Sequence, residues 1–321
     1  MASLGTQNGL ALSPVLRSLT APRPPWEIDA RSSRPDTSVS ARSSTASATR
    51  PSDDKLASFG GHGTLEILKV TQVLEGHDIP CCLTGTSALI YYGADRTRNV
   101  RFSDLLPLGS HPLILQQDWE VCVSTEQLES ASLLLQSDLY QTDYSRVDPS
   151  PVIQLRSLLH TFPRFKCQGL RLYFVLVPSE DAHVECHPSK FQRSLNGLPY
   201  PKLDVFIQSL LDTHDMVALC DVIDGCNVSE EWGNENLQLE GSNDLDWVRW
   251  KNRKITEANQ GRASLSAVET AVYSRRKVWE ETVRGKSSRL GFKHEHQIAL
   301  FATRFRLHGS VDPWLRERTA A

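Results

Sequence analysis

The sequence predicts an α+β fold, and three observations carry the prediction. Leu65, Ile67, Leu68, Val70, Val73 and Leu74 recur at spacings of three and four, the stripe of an amphipathic helix. Ile79 to Thr84 and Trp119 to Val123 are short apolar runs of strand length, each ending in a polar turn. Arg164 to Gln168 and Leu170 to Val177 flank Gly169, the pattern of a hairpin.

Each element follows in order. Thr64 stands where the first helix needs an N-cap, and Gly76-His77-Asp78 ends it. The strand at Ile79–Thr84 enters a turn at Gly85, and Ala88 to Tyr92 continues as a helix closed by Gly93. After Trp119–Val123, Thr125 is placed to cap a helix through Leu128, Ala131, Leu134 and Leu135. Beyond the hairpin come helices at Val205–Leu211 and His214–Ile223, broken at Gly225. Glu230, Glu231, Glu235, Glu240, Asp244 and Asp246 then form an acidic stretch, followed by basic helices at Trp247–Ala258 and Ala267–Val283. Three regions result: a Ser/Arg/Pro-rich arm over 1–60, an α+β domain over 61–225, and a helical and loop C-terminal region over 226–321. The arm lacks apolar periodicity and cannot bury enough surface to offset the entropy of ordering, so it is expected to be disordered.

Composition narrows the class. A hydrophobic content of 40% and a net charge of −3 suit a globular protein with no global attraction to nucleic acid or an anionic membrane. No apolar run approaches the roughly 20 residues that span a bilayer, so no membrane partner is expected. The 7 cysteines are odd in number and sit mostly in apolar stretches, which predicts buried free thiols in a reducing compartment, cytoplasmic or nuclear. The arm's arginines and serines permit a mitochondrial targeting peptide, but Pro14, Pro22, Pro24 and Pro25 break the amphipathic helix it needs.

Two constellations carry chemistry. Gly85-Thr86-Ser87 follows a strand, where a glycine admits close backbone approach and the hydroxyls and helix N-terminus offer donors to a phosphate. The structural alternative is an ordinary strand-to-helix turn. In Asp118-Trp119-Glu120-Val121, residues two apart share a strand face, so Asp118 and Glu120 present their carboxylates together. Such a pair can hold Mg2+, which grips nucleotide phosphates; the alternative is a solvated strand edge.

Taken together, the turn and the paired acids resemble the nucleotidyltransferase-fold superfamily, which includes polymerase beta. Those proteins open with a helix and a strand, then a hydrophobic residue, Gly and a small hydroxyl residue, a helix, and a strand bearing Asp-hydrophobic-Asp/Glu-hydrophobic. Thr84 is less apolar than that pattern prefers, and Thr86 stands where Ser or Gly is usual. More narrowly, the chain is similar to uncharacterised fungal nucleotidyltransferase-like proteins. Ile79–Gly93, Asp118–Thr125, Val177-Pro178-Ser179-Glu180-Asp181, Ser194–Thr213 and Ser229–Trp232 carry that likeness.

The resemblance implies a mixed sheet with flanking helices and an intracellular Mg2+-dependent protein that binds a nucleoside triphosphate. It makes Gly85, Thr86 and Ser87 the nucleotide-binding turn, and Asp118 and Glu120 the metal ligands and catalytic acids. Nucleotidyl transfer to a hydroxyl would need a third carboxylate as base, and the strand Leu170–Val177 contains none. Asp204 is the remaining candidate, although its place before the Val205–Leu211 helix also suits an N-cap. Glu180 and Asp181 lie just past the strand end as weaker candidates. The competing expectation is therefore a catalytically degenerate member acting as an interaction protein. Residues 87–117 also separate the two motifs by far more than the family spacing, and setting 100–117 aside restores it. That segment reads either as a retained intron, its ends Val100-Arg101 and Gln116-Gln117 being encodable as splice sites, or as a surface loop.

Other signals are weaker. His183-Val184-Glu185-Cys186-His187 holds potential zinc ligands but has no second cluster of matching spacing, and adjacent Cys81 and Cys82 point to opposite faces of a strand. The basic C-terminal helix, with Trp247, Trp250, Trp279 and Trp314, suits either RNA contact or docking on the core. Asn227-Val228-Ser229 matches a glycosylation acceptor without a secretion signal to use it.

Overall fold

The computed structural model describes residues 54–94, 99–101, 114–116, 118–150, 156–259 and 267–291. Its strands are β1 (Cys81–Leu83), β2 (Asn99–Arg101), β3 (Ile114–Gln116), β4 (Trp119–Val123), β5 (Tyr144–Val147), β6 (Arg164–Cys167), β7 (Tyr173–Pro178), β8 (Phe191–Arg193) and β9 (Pro199–Pro201). The helices are α1 (Ser58–Gly61), α2 (Thr64–Glu75), α3 (Gly85–Tyr91), α4 (Leu128–Gln136), α5 (Ser179–Ala182) and α6 (Leu203–Asp212). Five more follow: α7 (Met216–Cys226), α8 (Glu230–Asn236), α9 (Leu245–Ala258), α10 (Arg275–Arg284) and α11 (Lys286–Gly291).

Five strands form one sheet in the order β1-β4-β7-β6-β5. The β4–β7 pair is parallel and the other pairs antiparallel, so this is the mixed sheet with flanking helices of an α+β fold. Trp119, Val121 and Val123 of β4 point into a core shared with Ile67, Leu74, Phe165 and Phe174, all fully buried. Trp279 of α10 belongs to the same core, so the C-terminal helices complete the α+β body. It reaches that position because Gly233 of α8 leaves room, and a Cβ there would overlap its indole.

Several boundaries differ from the sequence expectation for identifiable reasons. The arm predicted over 1–60 lies outside the described residues up to 53, but packing begins ahead of 61. Lys55 pairs with Leu170 beside the sheet, its N–H donating to Gly169 O at 2.9 Å, and Ala57 is buried. Gly63, not Thr64, occupies the N-cap position of α2. Thr125 opens a 3-10 turn ahead of α4 and does not cap with its side chain. The helix expected over Ala267–Val283 forms only from Arg275. Upstream, Asn252 and Asn243 hold the backbone of Val268, Ala271 and Tyr273 extended through side-chain hydrogen bonds of 2.6–3.2 Å. Ser229 caps α8 within the acidic stretch by accepting from Trp232 N–H at 3.2 Å.

The segment at 100–117 lies largely outside the described residues. Its flanks are described, and β2 pairs antiparallel with β3, Asn99 opposite Gln116.

Candidate functional site

The turn after β1 is built against β4. Leu83 pairs with Val121, and Thr84 N–H donates to Glu120 O at 3.1 Å. The next residue, Gly85, has φ +58, and a Cβ on it would overlap the Glu120 carboxylate. Glycine is required here twice over, by the backbone and by the acid lying on it. Thr86 N–H donates to that carboxylate, so Glu120 itself engages the first turn of α3. Thr84 Oγ1 is buried with no hydrogen-bond partner among the described residues.

Two acids, Asp118 and Asp181, act on Glu120. Burial pushes its pKa up to about 7, and Asp181 and Asp118 add to the rise. Lys251 and the Thr86 N–H oppose it. Asp118, at the foot of β4 on the same face, is clasped by Arg164 of β6. Arg164 Nε donates to Oδ2 at 2.6 Å and Nη2 to Oδ1 at 3.1 Å, a two-pronged charge-assisted contact. The guanidinium also lies 4.3 Å over the Tyr173 ring. Asp181 of α5 pairs with Lys251 of α9, both side chains being largely buried. Burial raises the Asp181 pKa against the pull of Lys251.

A cleft of 860 Å³ is lined by Thr84, Gly85, Thr86, Glu120, Asp181 and Lys251 among others. The sequence-predicted residues thus separate. Gly85, Thr86 and Glu120 meet at the cleft, Ser87 is buried behind it, and Asp118 is engaged by Arg164. Asp204 faces a different cleft, of 1140 Å³, with Glu180 and Asp244. It lies inside the first turn of α6, whose N-cap position is Lys202, so the capping expectation is not met. Asp181 takes the place by Glu120 that Asp204 was expected to fill. Its position after Val177-Pro178 was the available signal; nothing local marked Lys251.

The donor chemistry tests the expected Mg2+. Asp118 has both oxygens occupied by Arg164, which is a poor fit for a free ligand. Glu120 and Asp181 share the cleft, and their mutual repulsion is what a hard cation with oxygen ligands would relieve.

Further along the same face of β4 lies a group of thiols. Cys122 is the register partner of Cys82, and Cys186, from the loop after α5, closes on both. Cys122 Sγ and Cys186 Sγ are 3.4 Å apart. Hydrogen bonds from Cys122 and Cys82 draw the Cys186 thiol down to about 5, while theirs rise. Cys81 faces the main core, as expected for adjacent strand positions.

Among the tryptophans expected either to stack on RNA or to dock, Trp279 is fully buried and Trp247 donates Nε1–H to Glu180 O at 2.7 Å. Trp314 lies outside the described residues. No helix among the described residues is long and apolar enough to cross a membrane.

No family model matches the chain, and no curated protein matches it. Among solved structures, the crystal structure of JHP933 from Helicobacter pylori is similar at 12% identity and a TM-score of 0.29, covering 78% of this chain and 100% of that one.

Proposed function

We propose that the cleft binds a nucleoside triphosphate together with Mg2+, on a fold of the nucleotidyltransferase kind. The observation that carries this reading is the convergence of Asp118, Glu120 and Asp181, with Glu120 raised to about 7 beside a glycine turn. Glu120 and Asp181 are the carboxylates that line the cleft, Asp181 shared with Lys251, and Asp118 supports them from behind its Arg164 clasp. The bound ion would neutralise phosphate charge and align the triphosphate. Gly85 admits the phosphates close to the backbone, and the Thr86 hydroxyl at the cleft wall supplies a donor. Lys251, already at the cleft wall, adds positive charge for the same oxygens.

Transfer of the nucleotidyl group to a hydroxyl is the chemistry this arrangement would serve. Binding of the ion would hold Glu120 in its ionised form, offsetting the burial that raises its pKa in the empty cleft. One observation favours a second reading, an interaction protein without transfer. Asp118 and Asp181 each carry a basic partner, so their charge is balanced with no ligand bound.

Thermal-shift titration with ATP, CTP, GTP and UTP, each with and without Mg2+, tests binding. A Mg2+-dependent rise in Tm with at least one nucleotide is expected, and Glu120→Gln should remove it. No response from the wild-type chain would defeat the proposal and leave the interaction reading.

A further inference from the structure

We infer that Cys82, Cys122 and Cys186 form a binding site for a single thiophilic metal ion of the zinc or copper(I) class. The three Sγ atoms all lie within 4.8 Å of one another, and one pair is 3.4 Å apart. Thiolates bound to one zinc ion at about 2.3 Å in tetrahedral geometry sit about 3.8 Å from each other. The 3.4 Å pair lies about 0.4 Å inside that value and none of the three exceeds it by more than about 1.0 Å, so an ion would enter with small side-chain adjustments.

The donor set and its walls select the metal. All three ligands are sulfur, and Ala182, Val184, Phe191 and Val205 pack around them. Soft thiolates in an apolar shell favour zinc or copper(I) over Mg2+ or Ca2+, which need oxygen ligands. Each coordinating thiol gives up its proton to solvent as the metal–sulfur bond forms, with no change in oxidation state. Cys186 is only half-buried, which leaves an entry path and a fourth position for water.

Other thiols of the chain behave differently. Cys226 donates to Tyr92 O at 3.1 Å and Cys81 points to Thr71 O at 3.8 Å, the arrangement of a thiol used for packing. The three clustered thiols point at one another instead. They come from β1, β4 and the loop after α5, so only the folded chain assembles them. The site lies one strand position pair from Glu120 but shares no ligand with the nucleotide cleft, and its test is independent of that proposal.

The full-length chain, reduced and stripped of metal with a chelator under anaerobic conditions, is titrated with Co2+ as a spectroscopic stand-in. Sulfur-to-cobalt charge-transfer absorption should saturate at one equivalent and be bleached by Zn2+. Cys186→Ser, a change in a half-buried loop, should abolish the band while its near-ultraviolet circular dichroism stays native. Cys167→Ser, which lies outside the cluster, should keep it. Absence of the band in the wild-type chain, or its survival in Cys186→Ser, overturns the inference. So would a chain that carries a Cys122–Cys186 disulfide as isolated and takes up no metal after reduction.

Discussion

The two faces of β4 and the residue that leads into it place opposite demands on the six residues Asp118–Val123. On one face Trp119, Val121 and Val123 are fully buried against the helices and strands of the main core. The other presents Asp118, Glu120 and Cys122 in succession, each engaged by a different partner: Arg164, the Gly85 turn and Cys186. Period-two alternation alone separates them. The apolar face secures the strand, and that security allows the polar face to hold an acid whose ionised form its surroundings oppose.

Breaking the apolar face should have the largest effect. Trp119 is fully buried, and its indole N–H donates to His62 O at 2.8 Å. Trp119→Ala is expected to cost about 3–5 kcal/mol, from the cavity and the lost hydrogen bond together. A urea midpoint falling with an unchanged slope would confirm it. A loss under about 1 kcal/mol would mean that the sheet does not depend on this face.

The polar face predicts the reverse sign. The Glu120 pKa is raised from 4.5 to about 7, so the folded chain holds a proton there that the unfolded chain releases. Stability from this group is complete below 4.5, falls as the pH rises toward 7, and is constant above. By linkage the loss amounts to about 3 kcal/mol at most. Glu120→Gln should therefore flatten this segment of the stability–pH curve and be the more stable protein at pH 8, by about 2–3 kcal/mol. It should do so while losing the nucleotide response. A Gln variant less stable than wild type at pH 8 would show that Glu120 is not strained in the folded state.

Gly85 joins the turn to that face. Gly85→Ala adds a methyl group where the Glu120 carboxylate lies and keeps a residue at φ +58. A cost of about 1–3 kcal/mol is expected. In a Glu120→Ala background part of that cost should vanish, because the overlapping partner is gone. A double-mutant cycle with coupling of about 0.5 kcal/mol or more tests it. Strict additivity would place the strain in the backbone alone.

How far the sequence could reveal this site follows from the same contrast. Asp118 and Glu120 were legible because a strand's period fixes which residues share a face, and Gly85 because it ends an apolar run. Asp181 was visible only as an acid past a strand end. Its meeting with Glu120 depends on α5 lying over the sheet, which no local spacing encodes. Lys251 reaches it from 70 positions away in the chain. The thiol cluster escaped for the same reason: Cys82, Cys122 and Cys186 share no motif spacing, and the His183–His187 stretch pointed at its neighbours instead. β5, Tyr-Ser-Arg-Val, has too few apolar residues to signal a strand and is held by its pairing with β6.

The smallest effect should come from the acid that sequence order favoured. Asp204 lies in the first turn of α6, where a carboxylate meets the positive end of the helix. It lines the cleft that contains Glu180 and Asp244, and it is absent from the walls around Glu120. Asp204→Asn should therefore leave the Mg2+-dependent nucleotide shift intact and change stability by no more than about 0.5 kcal/mol. Asp181→Asn should reduce that shift, because it removes charge beside Glu120. The pair of variants decides between the two clefts. Loss of the shift in Asp204→Asn with its retention in Asp181→Asn would move the nucleotide from the Gly85 cleft to the larger one.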